Sequence, residues 1–128
     1  MTAARPRVLV VDDEPGLRDM LSIFFSRDGY EVTLAAGFGA AKETLQNATV
    51  PFGLVLTDLM MPDGSGLDLL PVVKQRWADT EVIVMTAHGA LETAVEAMRR
   101  GAYDFVAKPF ATNELRALVH KALEKHYN

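Results

Sequence analysis

Five residues that end or follow short apolar runs of this 128-residue sequence have side chains suited to phosphoryl chemistry. They are Asp12, Asp13, Asp58, Thr86 and Lys108. Carboxylates brought together repel one another unless a cation neutralises them or a pKa rises, and hard oxygen ligands with room for water favour Mg²⁺. Mg²⁺, an ammonium group and a hydroxyl together complement the oxygens of a phosphoryl group. A carboxylate such as that of Asp58 can be the nucleophile and yield an aspartyl phosphate.

Each of these residues also has a structural interpretation. Asp12 and Asp13 could cap the helix that follows them, with even odds when they are taken alone. Lys108 could be a counter-charge, and the hydroxyl of Thr86 could cap a turn. The combination is more specific than its members, because Asp12 or Asp13 together with Asp58 supplies the one or two direct carboxylates that Mg²⁺ usually takes.

The elements that must position these residues follow from hydrophobic period. Apolar runs of strand length alternate with amphipathic stretches of helical length. The predicted strands are residues 7–12, 30–35, 52–58, 81–86 and 104–108. The first, third and fourth are nearly continuous in Val, Leu and Ile, which indicates strands covered on both faces in a parallel sheet, whereas the second alternates as an edge strand does.

The helices are predicted around residues 17–25, 40–48, 67–77 and 91–100, with a last one beginning near residue 112. Five strands, each followed by a helix, predict a doubly wound α/β fold with a five-stranded parallel sheet. Ligands of such sheets bind beyond the carboxyl ends of the strands, where the five residues lie. We place Trp77 and the stripe Leu91, Val95 and Met98 in the core, with the small residues Ala90, Ala94 and Ala97 as an alternative pairing face.

Composition limits the class of protein. A chain of 14.0 kDa with 49% hydrophobic and 23% charged residues is the size and balance of one domain. No cysteine is present, which excludes thiol catalysis and thiolate zinc sites. A net charge of −4 and a pI near 5.3 argue against direct contact with nucleic acid, and no apolar run approaches the roughly 20 residues that cross a bilayer. We therefore expect a cytoplasmic protein with no membrane contact.

Four motifs, DDE at 12–14, LTDLMMPDGSG at 56–66, VMTAHG at 84–89 and AKPF at 107–110, carry a resemblance that covers about the whole chain. In order and spacing they resemble the receiver domain of two-component response regulators. The resemblance implies a flavodoxin-like (βα)5 fold with strand order 2-1-3-4-5. It implies that Asp58 is the phosphoacceptor, that Mg²⁺ is held by Asp12, Asp13, Asp58 and the carbonyl of Met60, and that Thr86 and Lys108 bind the phosphoryl oxygens.

The same resemblance implies a switch rather than a turnover enzyme. Phe105 occupies the position of the switch aromatic, the Lys108–Pro109 bond is expected to be cis, and Met60 and His88 are expected to tune the lifetime of the aspartyl phosphate. The implied partners are a sensor histidine kinase or phosphotransfer protein, and an output domain or second receiver that pairs through the face of the fourth helix, fifth strand and fifth helix. We expect phosphorylation to promote this dimerisation.

The stretch 85–110 is most similar to receivers of NtrC-type transcriptional activators, which precede an ATPase and a DNA-binding domain. Residues 1–128 are therefore expected to be one receiver domain, either an excised N-terminal fragment of a larger regulator of transcription or a stand-alone receiver. Two alternatives remain. A Mg²⁺-dependent phosphatase with an aspartate nucleophile shares the residue set, but it places its nucleophile after the first strand and needs a cap. A phosphate-independent receiver-like binding module is disfavoured because all five acceptor-site residues are present.

Overall fold

The computed structural model describes residues 5–87 and 91–127, in which strands and helices alternate. The main strands are β1 (Arg7–Val11), β2 (Glu31–Ala35), β3 (Leu54–Asp58), β4 (Glu81–Ala87) and β5 (Asp104–Lys108). The helices are α1 (Pro15–Arg27), α2 (Phe38–Asn47), α3 (Gly66–Arg76), α4 (Leu91–Arg99) and α5 (Thr112–Tyr127). The predicted elements are confirmed. None of the helices in the described part of the chain is long and apolar enough to span a bilayer.

The main strands form one parallel sheet in the order β2-β1-β3-β4-β5. This confirms the doubly wound topology and the strand order 2-1-3-4-5. Every residue of β3 is buried, and so are all residues of β1 after Arg7, because both strands lie in the middle of the sheet. β2 lies at one edge of the sheet, as predicted, and exposes Glu31 and Leu34.

Side-chain alternation along the strands divides the core into two layers. Leu9 and Val11 of β1 pack on the side covered by α2, α3 and α4, whereas Val8 and Val10 pack on the side covered by α1 and α5. The sheet is therefore covered on both faces. Its carboxyl edge remains accessible between the helix layers, and this edge carries the candidate site.

Helix α4 faces the sheet with a different side from the one predicted. Ala94 and Ala97 are fully buried, whereas Leu91, Val95 and Met98 are 62%, 41% and 38% exposed. The core assignment of that stripe is therefore wrong. Both sets recur at helical spacing, so the period alone does not decide which one faces the sheet. Ala90 lies outside the described residues, and Trp77 packs as predicted, partly buried against the core.

Candidate functional site

The carboxyl ends of three strands bring two carboxylates to one ammonium group. Asp12 directly follows β1, Asp58 is the last residue of β3, and Lys108 is the last residue of β5. The Nζ atom of Lys108 lies 2.8 Å from Oδ2 of Asp12 and 3.0 Å from Oδ2 of Asp58. Lys108 is 96 positions from Asp12 and 50 positions from Asp58 in the chain, yet the three side chains meet, as the α/β topology predicts.

A third carboxylate completes a set that could hold a metal ion. Asp12, Asp13 and Asp58 each offer one oxygen, and these oxygens lie within 4.8 Å of one another. Asp12 is 0% exposed and Asp58 8%, whereas Asp13 is exposed. Two of the three carboxylates are therefore buried in the protein, and the third is accessible to solvent. Hard oxygen donors with room for water fit Mg²⁺ or a similar divalent cation.

Asp12 is held by hydrogen bonds on both carboxylate oxygens and on its carbonyl. Its Oδ1 accepts from the backbone N–H of Glu14 at 2.8 Å, and its Oδ2 accepts from Lys108. Its backbone carbonyl accepts from Nη1 of Arg18 at 2.7 Å. These bonds orient the turn between β1 and α1, from which Asp13 faces the adjoining cavity.

The ammonium group of Lys108 is stabilised by its two partners. Partial burial by itself lowers the pKa of Lys108, but the hydrogen bonds and charges of Asp12 and Asp58 outweigh burial and raise the pKa above its ordinary value of 10.5. The side chain therefore stays positively charged at neutral pH. The peptide bond between Lys108 and Pro109 is cis, as the resemblance implied.

A short hairpin, which the sequence analysis did not predict, follows Asp58. The two-residue strands Met60–Met61 and Gly64–Ser65 pair antiparallel. The N–H of Met60 donates to Oδ1 of Asp58 at 3.3 Å, so the hairpin contacts the carboxylate itself. Its turn contains Pro62 and Asp63 followed by glycine, a turn-forming sequence that could have revealed it.

Gly66 follows the hairpin and contacts its start closely. The N–H of Gly66 donates to the carbonyl of Leu59 at 2.9 Å. A Cβ atom on Gly66 would lie only 2.7 Å from the backbone carbonyl oxygen of Asp58. A residue without a side chain is therefore required where the chain passes the carboxyl end of β3.

Thr86 and Phe105 lie on neighbouring strands beside this cluster. Thr86 is buried and follows Met85, the residue that pairs with Asp58, and its hydroxyl donates to the carbonyl of Ala87 at 3.3 Å. Phe105 pairs with Val84, which is two residues before Thr86 and so on the same face of the sheet. Phe105 is partly buried there against the core on the α4 side. His88 lies outside the described residues.

A cavity of about 620 Å³ opens beside the cluster. Its polar lining includes Asp13, Glu14, Asp58 and Lys108, and its apolar lining includes Leu17, Met20, Met60 and Phe110. Asp12 is not part of this lining. The cavity therefore presents one carboxylate that both contacts Lys108 and faces open space, that of Asp58.

Comparison with known proteins agrees with this geometry. The chain matches the family of response regulator receiver domains over residues 8–120. It is 44% identical over 120 residues to the response regulator protein PilR of Pseudomonas aeruginosa, covering 94% of this chain and 26% of PilR. It is 41% identical over 124 residues to the regulatory protein AtoC of Escherichia coli, covering 97% of this chain and 26% of AtoC. The chain thus spans about a quarter of the length of these curated relatives.

Solved structures agree as well. A receiver domain from Clostridium thermocellum superposes with a TM-score of 0.85 at 30% identity, covering 94% of this chain and 95% of that one. The beryllofluoride-activated NtrC4 receiver domain dimer superposes with a TM-score of 0.84 at 35% identity, covering 95% and 98%. Together with the family match, these similarities show that the chain belongs to the response regulator receiver domains of two-component systems.

Proposed function

We propose that this receiver domain is a phosphorylation-dependent switch in which Asp58 accepts a phosphoryl group from a sensor histidine kinase or phosphotransfer protein. The observation that carries the proposal is the placement of Asp58. Its carboxylate lies 3.0 Å from the ammonium group of Lys108 and also lines the open cavity. Asp12 contacts Lys108 but is fully buried, and Asp13 is exposed beyond the Lys108 ion pairs. Of the three carboxylates in the cluster, only that of Asp58 combines contact with a cation and access for a phosphoryl donor.

In the transfer step, a carboxylate oxygen of Asp58 attacks the phosphorus of a phosphohistidine. A P–O bond to Asp58 forms as the P–N bond breaks, and the electron pair stays on the histidine nitrogen, which takes a proton from solvent. Lys108 donates hydrogen bonds to the transferred group and offsets its charge. Asp12, Asp13, Asp58 and the carbonyl of Met60 would hold Mg²⁺, which supplies electrostatic stabilisation of the phosphoryl oxygens.

The experiment is intact mass spectrometry of the purified chain after incubation with acetyl phosphate, with and without Mg²⁺. The parent chain is expected to gain one phosphoryl group only when Mg²⁺ is present. Asp58→Ala is expected to gain none, whereas Asp19→Ala, which removes an exposed carboxylate from α1, is expected to behave like the parent. A folded parent chain that gains no mass would refute the switch and favour a phosphate-independent module. Steady release of phosphate with rapid turnover would favour the phosphatase.

The switch is proposed to act through Thr86 and Phe105. A phosphoryl group adds up to about two negative charges, which attract hydroxyl and ammonium donors. Movement of the Thr86 hydroxyl toward Asp58 would vacate space on the face of the sheet that also carries Phe105. A change of Phe105 would alter the surface formed by α4, β5 and α5.

That surface already exposes an apolar stripe. Leu91, Val95 and Met98 of α4 are partly or largely exposed. The structurally similar receiver domain of NtrC4 is described as a dimer when it is activated by beryllofluoride. We propose that phosphorylation makes this stripe the pairing surface for a second receiver or an output domain that regulates transcription. In light scattering, the parent is expected to dimerise when beryllofluoride is added, whereas the Val95→Ser variant is expected to remain a monomer with and without it. A dimer that is unaffected by Val95→Ser would contradict this surface.

Met60 and His88 are proposed to set the lifetime of the aspartyl phosphate. The Met60 side chain is 66% exposed beside the cavity, and its thioether is a weak acceptor that holds an attacking water poorly. Met60→Asn is therefore expected to lose its phosphoryl group faster than the parent. Equal rates of loss, followed by intact mass after removal of acetyl phosphate, would contradict this role.

A further inference from the structure

The side chain of Asp63 attaches the hairpin after β3 to the beginning of α2. Its Oδ1 accepts the backbone N–H of Phe38 at 2.9 Å, and its Oδ2 accepts that of Gly39 at 3.0 Å. These are the first two residues of α2, and the residue before them, Gly37, provides no side-chain cap. The first amides of a helix lack partners within the helix. Asp63, 25 positions after Phe38 in the chain, supplies the cap that the local sequence lacks.

Packing reinforces the same attachment. A Cβ atom on Gly64 would lie 2.6 Å from Cγ of Phe38, so the backbone of the hairpin turn lies directly against that ring. Phe38 in turn packs against the core on the α2, α3 and α4 side of the sheet. The turn is thus fixed by two hydrogen bonds to charged oxygen and by contact with an anchored aromatic ring. The hairpin cannot move relative to α2 without losing both.

The hairpin also carries the carbonyl that we assign to the metal. Met60 pairs with Ser65 and Met61 pairs with Gly64, so Asp63 belongs to the turn that joins these two strands. We propose that Asp63 is a positioning residue, which fixes the Met60 carbonyl through the attachment of the hairpin to α2 and thereby raises the affinity of the site for Mg²⁺. This inference rests on the proposed function, in which Met60 is a metal ligand.

The coupling is reciprocal. If the attachment of the hairpin to α2 favours Mg²⁺ binding, Mg²⁺ binding must favour the attachment by the same free energy. The amides of Phe38 and Gly39 should therefore exchange with solvent more slowly when Mg²⁺ is bound, although α2 contributes no ligand. Local opening of a helix end is what amide exchange measures.

Isothermal titration of Mg²⁺ into the parent, Asp63→Ala and Asp63→Asn tests the proposal, with thermal unfolding to verify folding. Groups behind the ligands of a metal site commonly change its affinity by about 10-fold or more, and Asp63 is exposed, so Asp63→Ala is expected to weaken Mg²⁺ binding about 5- to 10-fold. Asparagine has one acceptor oxygen and therefore keeps only one of the two bonds, so Asp63→Asn is expected to lose less affinity than Asp63→Ala, about 2- to 3-fold. Glu43→Gln removes one charge from the exposed side of α2 and is expected to leave the affinity unchanged.

The outcomes separate the possible explanations. An unchanged affinity in Asp63→Ala would overturn the inference, and so would an equal loss in Asp63→Ala and Asp63→Asn, because the one acceptor that asparagine retains should preserve part of the affinity. Hydrogen exchange of the Phe38 and Gly39 amides that does not respond to Mg²⁺ in the parent would also overturn it. A parent chain that binds no Mg²⁺ would instead overturn the proposed metal site itself, and the coupling with it.

Discussion

Asp13→Asn is expected to stabilise the metal-free chain by a few tenths of a kcal/mol at most and to abolish most of its stabilisation by Mg²⁺. Three carboxylates, those of Asp12, Asp13 and Asp58, face the single ammonium group of Lys108 in this cluster. Both ion pairs of Lys108 are made with Asp12 and Asp58, so Asp13 is the carboxylate whose charge they leave unpaired. Its removal relieves repulsion without breaking either ion pair.

The magnitude follows from the separation of the oxygens. They lie within 4.8 Å of one another, at which two unit charges interact by about 0.9 kcal/mol in a water-like dielectric and about 3.5 kcal/mol at an effective dielectric constant of 20. Asp13 is exposed, so the lower value applies to each of its two repulsions. Attraction to Lys108 offsets one of them, and loss of a carboxylate near the start of α1 costs about 0.3 to 1 kcal/mol. A net gain of at most about 0.6 kcal/mol remains, which for this length raises Tm by no more than about 2 to 3 °C.

Thermal and urea unfolding in EDTA and in Mg²⁺ measure both effects. A ligand at about 100 times its Kd stabilises the folded state by about 2.7 kcal/mol. The parent should therefore overtake Asp13→Asn when Mg²⁺ is added, and the order of the two proteins should reverse. Asp19→Asn makes the same charge change at an exposed position of α1 and is the matched control.

Two results would refute this reasoning. If Asp13→Asn were less stable than the parent in EDTA while Asp19→Asn were not, repulsion among the carboxylates would not govern the stability of the cluster. If Mg²⁺ stabilised Asp13→Asn as much as the parent, Asp13 would not be a ligand.

Three further predictions concern other contacts of the site. Lys108→Met leaves two buried carboxylates without their cation and is expected to lower the free energy of unfolding in EDTA by about 3 kcal/mol, measured by urea unfolding; a loss below 1 kcal/mol would contradict the ion-pair geometry. Gly66→Ala places a Cβ atom 2.7 Å from the carbonyl oxygen of Asp58, so it is expected to lower the free energy of unfolding by about 1 to 3 kcal/mol and to slow phosphorylation. Gly16→Ala on α1 is the control, because a Cβ atom there would have no atom within 4 Å, and it is expected to be neutral or stabilising. Hydrogen bonds from the backbone of Gly39 and of Phe38 lower the pKa of Asp63 below its ordinary value of 3.8. The Asp63 carboxylate therefore contributes to stability above pH 3.8, and this contribution is lost as the pH falls through the lower pKa of the folded state. The difference in Tm between the parent and Asp63→Ala should therefore shrink only below pH 3.8, and a difference that is already lost at neutral pH would contradict the cap.

Hydrophobic period was sufficient for the sheet and for most of the site. Continuous Val, Leu and Ile runs identified the central strands, and the carboxyl ends of parallel strands necessarily share an edge. The meeting of Asp12, Asp58 and Lys108 therefore followed from strand assignment alone. The division of roles among the carboxylates did not follow, because it depends on burial and on hydrogen bonds such as those from Glu14 and Arg18 to Asp12.

The two features that the sequence analysis missed have a common physical cause. The face that α4 turns to the sheet depends on how closely the helix approaches, and alanines at 94 and 97 permit a close approach that buries them and leaves larger apolar side chains exposed. The turn of the hairpin after Asp58 has a local signal, but its attachment to α2 depends on a cap that Asp63 provides to a helix beginning 25 positions earlier. Neither contact is local in sequence, so neither leaves a periodic pattern. In both cases small residues, alanine in α4 and glycine at position 64, mark where two elements touch, and their size rather than their hydrophobicity is what permits the contact.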